Sequence, residues 1–169
     1  MDETKILDAV RQRYDLPAAF LADVEQGAVS RGFIPNLEGY PLTLLRRRPD
    51  RSSPGHYHED YAQSSLPESR FRVHVAEFAS AAEARQALLR SLALVMAPRL
   101  PHCRERGFEA GEICFCSPGE PVSRIYFVRG NVKIELFETG APLPGLNEIA
   151  RAIDENLQAH LARAGAQRR

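Results

Sequence analysis

The chain has no tryptophan, only three cysteines and no net charge, and each shortage removes a class of protein. Twenty-two basic residues balance 22 acidic ones, so no net field gathers phosphate backbones or an anionic bilayer. Nucleic acid is therefore a disfavoured partner. The longest apolar run, Leu-Ala-Leu-Val-Met-Ala at 92–97, falls far short of the roughly 20 residues that a spanning helix needs, so no membrane segment is expected. The start, Met1-Asp2-Glu3 with Asp8 and Arg11 soon after, lacks the basic and continuously apolar regions of a signal peptide. Three cysteines, two of them at 114 and 116, are an odd set and make no disulfide framework. Reduced thiols and a cytoplasmic location are the expectation. Catalytic signatures are missing too: the chain contains no G-x-S-x-G, no G-x-x-x-x-G-K-[ST] and no G-x-G-x-x-G.

What is present is ordinary globular composition, 44% apolar and 26% charged over 169 residues. That length suits one domain, 1–169, with one core. Ile6, Leu7, Val10 and Tyr14 recur at helical steps behind Asp2 and Thr4. Pro17 opens a second helix carrying Phe20, Leu21 and Val24, with Gly27 as its stop. Residues 1–45 thus read as an N-terminal helical hairpin and a connector, in which Leu42 and Leu44 alternate as in a short strand. Residues 46–70 hold Pro49, Pro54, Gly55, Pro67 and five serines, which reads as a long loop.

Beyond the loop, residues 71–164 read as a strand, a helix, three strands and a helix. Phe71, Val73 and Val75 alternate with Arg72, His74 and Ala76 in a strand. Ser80 and Glu83 form a capping box for a helix that runs through Leu88, Leu89, Leu92, Val95 and Met96 until Pro98. Ile113 and Phe115 share one face of the next strand, and Cys114 and Cys116 the other. A two-residue turn at Gly130-Asn131 opposes Phe127 to Ile134, Ile125 to Leu136, Tyr126 to Glu135 and Val128 to Lys133. Leu146, Ile149, Ile153, Leu157 and Leu161 stripe a final amphipathic helix. The expected fold is α+β: two layers, a mainly antiparallel sheet of 4–5 strands, and helices packed on one face.

The densest chemistry is Gly55-His56-Tyr57-His58-Glu59-Asp60-Tyr61. Tyrosine and histidine offer amphipathic surface with few rotors to freeze, so His56, Tyr57, His58, Asp60 and Tyr61, with Arg46 and Arg48 of the Arg46-Arg47-Arg48…Arg51 cluster, are read as a surface for another protein. On that reading the chain is a small non-enzymatic binding module of inhibitor, immunity or accessory type, with no cofactor. The alternative is a small metal-dependent enzyme. An extended segment points His56 and His58 the same way, and with Glu59 and Asp60 they form a nitrogen and oxygen set suited to zinc or another divalent transition ion. That set is short of a ligand, which His74, His102 or a cysteine could supply. H-x-H by itself is a weak pattern, and two exposed histidines on a hydrophilic loop are the plainer explanation. A small-molecule carrier, its ligand between sheet and helices, is a third reading.

Overall fold

The computed structural model describes residues 2–22, 27–50, 53, 55–97 and 99–166. Its centre is one antiparallel sheet of six strands: β1 (Leu42–Pro49), β2 (His56–Gln63), β3 (Leu66–Glu77), β4 (Ile113–Cys116), β5 (Arg124–Arg129) and β6 (Val132–Glu138). Their spatial order is β1-β2-β3-β6-β5-β4. Three α-helices accompany it: α1 (Glu3–Arg13), α2 (Ala81–Ala93) and α3 (Leu146–Ala166). Among the described residues no helix is long and apolar enough to cross a membrane.

The β5–β6 hairpin has the register its side-chain pattern predicts, with Phe127 opposite Ile134, Ile125 opposite Leu136 and Tyr126 opposite Glu135. Gly130 takes a φ of 54° at the turn, a conformation that glycine adopts without Cβ strain. Asn131 does more than turn the chain. Its buried amide accepts from the Ser30 backbone N–H at 2.7 Å and donates to the carbonyls of Phe78 and Ser30 at 2.7 and 3.1 Å. The capping box also forms, with the Glu83 N–H donating to Ser80 Oγ and the Ala79 N–H to the Glu83 carboxylate.

Four expectations are corrected. First, residues 46–70 are not a long loop: β1 extends to Pro49, all of β2 lies within them, and β3 begins at Leu66. The sheet therefore has six strands rather than 4–5. Arg51, Ser52 and Pro54 lie outside the described residues.

Second, the helices do not share one face. Ile125 and Phe127 pack with Ile149, Ile153 and Leu157 of α3, whereas Tyr126 and Val128 pack with Leu88, Leu89 and Leu92 of α2 and with Leu7 and Val10 of α1. β5 is buried on both sides, as an unbroken Ile-Tyr-Phe-Val run requires, so each face needs its own cover. The molecule has three layers.

Third, among the described residues no second α-helix completes an N-terminal hairpin. After α1 the chain makes one 3-10 turn, Ala18–Leu21, that buries Phe20 against α2's cluster; Val24 is outside the described residues. Likewise α2 stops at Ala93, short of Val95 and Met96, and Pro98 is outside the described residues.

Fourth, the thiols are not all reduced. Cys103 and Cys114 are joined by a disulfide across a Cα separation of 5.4 Å, leaving Cys116 as the free thiol. Cys114 and Cys116 do share a strand face, the one toward α3. Burial pushes the Cys116 thiol up to about 11, so at neutral pH it is an inert core group.

Candidate metal centre

The face of the sheet that α1 and α2 cover over β5 and β4 continues past α2 across β6, β3, β2 and β1. There the pairing sets side chains in rows. One row runs Arg48, His58, His74, Glu135, Tyr126 and Phe115, each directly opposite the next. A neighbouring row runs Arg46, Asp60, Arg72, Phe137 and Arg124. The strand period of two also assigns His56 to this face, opposite Ala76.

Two histidines thus meet by register. The imidazoles of His58 and His74 stack with centroids 4.4 Å apart, and His56 lies edge-on to His74 at 5.9 Å and to Phe78 at 5.0 Å. Asp50, just beyond β1, is held beside them because its backbone N–H donates to the His56 carbonyl at 2.8 Å. One ligand atom from each of Asp50, His58 and His74 lies within 4.8 Å of the others, and all three residues are half-buried. Donors bound at about 2.0–2.1 Å to one tetrahedral ion stand about 3.4 Å apart, so side-chain rotation of roughly an ångström closes the set. His58 Nδ1 and His74 Nε2 are shielded from solvent and accept or donate no hydrogen bond. Buried imidazole nitrogens normally have a partner, so two orphans in a cluster that also brings in a carboxylate mark a candidate metal site.

Electrostatics favour the binding form of His74 and His56. Burial, reinforced by His58, pushes the His74 pKa down to about 4; Glu135 pulls the other way, and Lys133, a weaker influence than Glu135, adds to the lowering. His56 is also lowered, by burial first and then by Lys133. Neutral imidazole is the species that ligates. Behind His74, Lys133 Nζ donates to Glu135 at 2.7 Å and to Ser91 Oγ at 2.8 Å, and Ser91 Oγ donates to Glu135 at 2.7 Å. Burial alone would raise the Glu135 carboxyl, but Lys133 and Ser91 outweigh it and hold the group below its ordinary value.

The remaining residues singled out from the sequence separate by strand parity. Tyr57, Glu59 and Tyr61 point to the opposite face, toward α3. Tyr57 Oη donates to the Phe33 carbonyl at 2.6 Å. The Glu59 side chain is fully buried, accepting from Arg47 Nε at 2.5 Å and from Tyr61 Oη at 2.7 Å. Burial raises both phenols, assisted at Tyr57 by the Glu59 charge and at Tyr61 by its hydrogen bond to Glu59. Asp60 does share the histidine face, but Arg72 holds both its oxygens at 2.6 and 3.2 Å. Arg46 and Arg48 lie exposed on the edge strand, opposite Asp60 and His58. His102 sits elsewhere, against Phe115 beside α1's cluster.

Of the metal set read from the sequence, the structure brings His58 together with His74 and Asp50, places His56 alongside, and sets Glu59 and Asp60 against Arg47 and Arg72. Asp50 went unnoticed because it is eight residues from His58 and 24 from His74. The signal that existed was a period of two in residues 56–61, which sorts Tyr57, Glu59 and Tyr61 from His56, His58 and Asp60. Comparison of the chain with protein-family models, with curated proteins and with solved structures finds no match.

Proposed function

We propose that the protein binds a divalent transition-metal ion through Asp50, His58 and His74, and that it works as a small metal-dependent enzyme. The observation that carries this reading is that Asp50, His58 and His74 each bring one ligand atom within 4.8 Å of the others, in a cluster where His58 Nδ1 and His74 Nε2 are solvent-shielded and unpartnered. Two imidazoles and one carboxylate suit zinc, and equally the iron(II) of two-histidine, one-carboxylate sites. Three protein ligands leave at least one coordination position for water or substrate, the pattern of catalytic rather than structural sites. When bound, the ion supplies Lewis acidity and a more acidic bound water. The chain's own contribution is to hold neutral imidazoles at fixed strand positions and to keep a carboxylate beside them. Glu59, grouped with His56, His58 and Asp60 in the metal set read from the sequence, is instead buried on the far face against Arg47.

The competing reading, a binding module for another protein, has less support. Its two tyrosine anchors spend their hydroxyls inside the fold, on Phe33 and Glu59. Of that set, Arg46, Arg48, the histidines and the Arg72-bound Asp60 share the other face.

The test is metal uptake by untagged protein. After chelation and dialysis, zinc, cobalt(II) and iron(II) are titrated by calorimetry, with cobalt absorption reporting geometry. One equivalent should bind, and His58→Ala, His74→Ala and Asp50→Asn should each weaken it by at least ten- to a hundredfold, the range known for losing a supporting group alone. Asp60→Asn should bind like the parent. A parent protein that is folded yet takes up no ion ends this reading, and capture of a protein partner dependent on Arg46 and Arg48 would then replace it.

A further inference from the structure

Where α2 ends, the same face of the sheet opens into a cavity of about 480 Å³, within the range of small-ligand sites. Its floor is polar, with His74, Glu135, Tyr126 and Arg124, and its wall is apolar, with Leu94, Val95 and Leu100. We propose that this cavity binds an organic monocarboxylate with an apolar body, the carboxylate on Arg124 and the hydrocarbon along the wall. This supplies the substrate class of the proposed metal centre, which it adjoins through His74, and it rests on that reading only for the ligand's proximity to the metal.

The charge inventory selects the head group. Glu135 is matched by Lys133, so that pair adds no net charge. Arg124 is different: among the described residues it enters no ion pair. Its guanidinium lies 4.9 Å from the Phe137 ring centre and 5.8 Å from that of Tyr126, and it donates to Tyr126 Oη at 3.1 Å. One contact to a phenol leaves most of its donor fork unused, while the two rings restrict its orientation. A preorganised fork with free donors is suited to a carboxylate. Arg124 is thus the cavity's unmatched guanidinium, and its free fork takes a singly charged anion.

The wall selects the body. Leu94 and Met96 are 83% and 101% exposed at the rim, beside the half-buried Val95. Large apolar side chains left in water next to a cavity gain by covering hydrocarbon, roughly 25 cal/mol for each Å² removed from water. A free inorganic anion would leave that wall wet.

The test is calorimetric titration of the full chain with octanoate, acetate and octanol, in metal-free and zinc-loaded protein. Octanoate should bind saturably at one equivalent in both, and acetate and octanol at least tenfold more weakly. Arg124→Gln should weaken octanoate at least tenfold, and Arg124→Lys by less; Arg124 is exposed, and circular dichroism checks that both variants fold. Equal binding of octanoate and octanol, or an unchanged Arg124→Gln, overturns the proposal. Octanoate binding that needs zinc and is lost in His58→Ala moves the carboxylate to the metal, overturning the role of Arg124 while keeping the metal reading. Octanoate binding without any zinc uptake sinks the metal reading and sustains this one. If octanoate fails and sedimentation shows a dimer disrupted by Leu94→Ser/Met96→Ser, the wall is a subunit interface and the proposal falls.

Discussion

Replacing Arg47 by alanine separates the two roles that Glu59 could have. The Glu59 side chain is 0% exposed and receives Arg47 and Tyr61, with Arg47 at 2.5 Å. Removing the guanidinium leaves a buried carboxylate with one phenol donor. Breaking a fully buried pair costs about 3–5 kcal/mol. Here the Arg47 side chain is 44% exposed, so water enters the gap and the cost falls to about 2–3 kcal/mol. For a chain of this length that lowers Tm by roughly 5–10 °C. Glu59→Gln alone should cost less, because the released Arg47 turns to solvent. The double variant Arg47→Ala/Glu59→Gln should be clearly more stable than the sum of the single losses, with a coupling of about 1 kcal/mol or more. Urea unfolding followed by circular dichroism measures all four corners, and zinc titration is run on each. An Arg47→Ala variant within about 0.5 kcal/mol of the parent refutes the buried-pair argument. A folded Glu59→Gln variant that loses zinc refutes the assignment of Glu59 to the α3 side.

Three further outcomes are expected. In metal-free protein His74 titrates near pH 4 when folded and near its ordinary 6.5 when unfolded, so between those values the unfolded chain holds more protons. Its contribution to stability is complete above about pH 6.5, declines as pH falls to about 4 and changes no further below that; His74→Phe should flatten this part of a Tm-versus-pH curve. Cys103→Ser, or reduction of the parent, removes a link that closes a loop with a sequence separation of 11, worth about 3 kcal/mol on the loop-entropy estimate, and a Tm unmoved by reductant would contradict the link. Asn131→Ala strands the Ser30 N–H and the Phe78 carbonyl in the interior, at about 1–3 kcal/mol for each group left unpaired; differential scanning calorimetry reads the loss.

The elements with their own apolar period were legible in the sequence: α1, α2, β3, β4, the β5–β6 hairpin and α3. Each is written in side chains a few residues apart, and the hairpin register followed from one turn and four facing pairs. β2 was not legible, because a strand made of His, Tyr, Glu and Asp has no aliphatic face. Its alternation becomes visible only when one side meets Arg47 and Phe33 and the other meets His74 and Arg72. Cover on both sides of the sheet was latent in the Ile-Tyr-Phe-Val run of β5, although no local rule says which helix takes which face. His58 could be named from the sequence as a candidate metal ligand, and so could the need for a ligand from elsewhere. Only the tertiary structure could choose His74 and Asp50, because cross-strand register brings together residues whose separation along the chain carries no signal. By itself the sequence determined local periodicity, turn chemistry and the absence of net charge. The pairing of β1, β2 and β3 decided which polar groups lost their water, and so which could become a site.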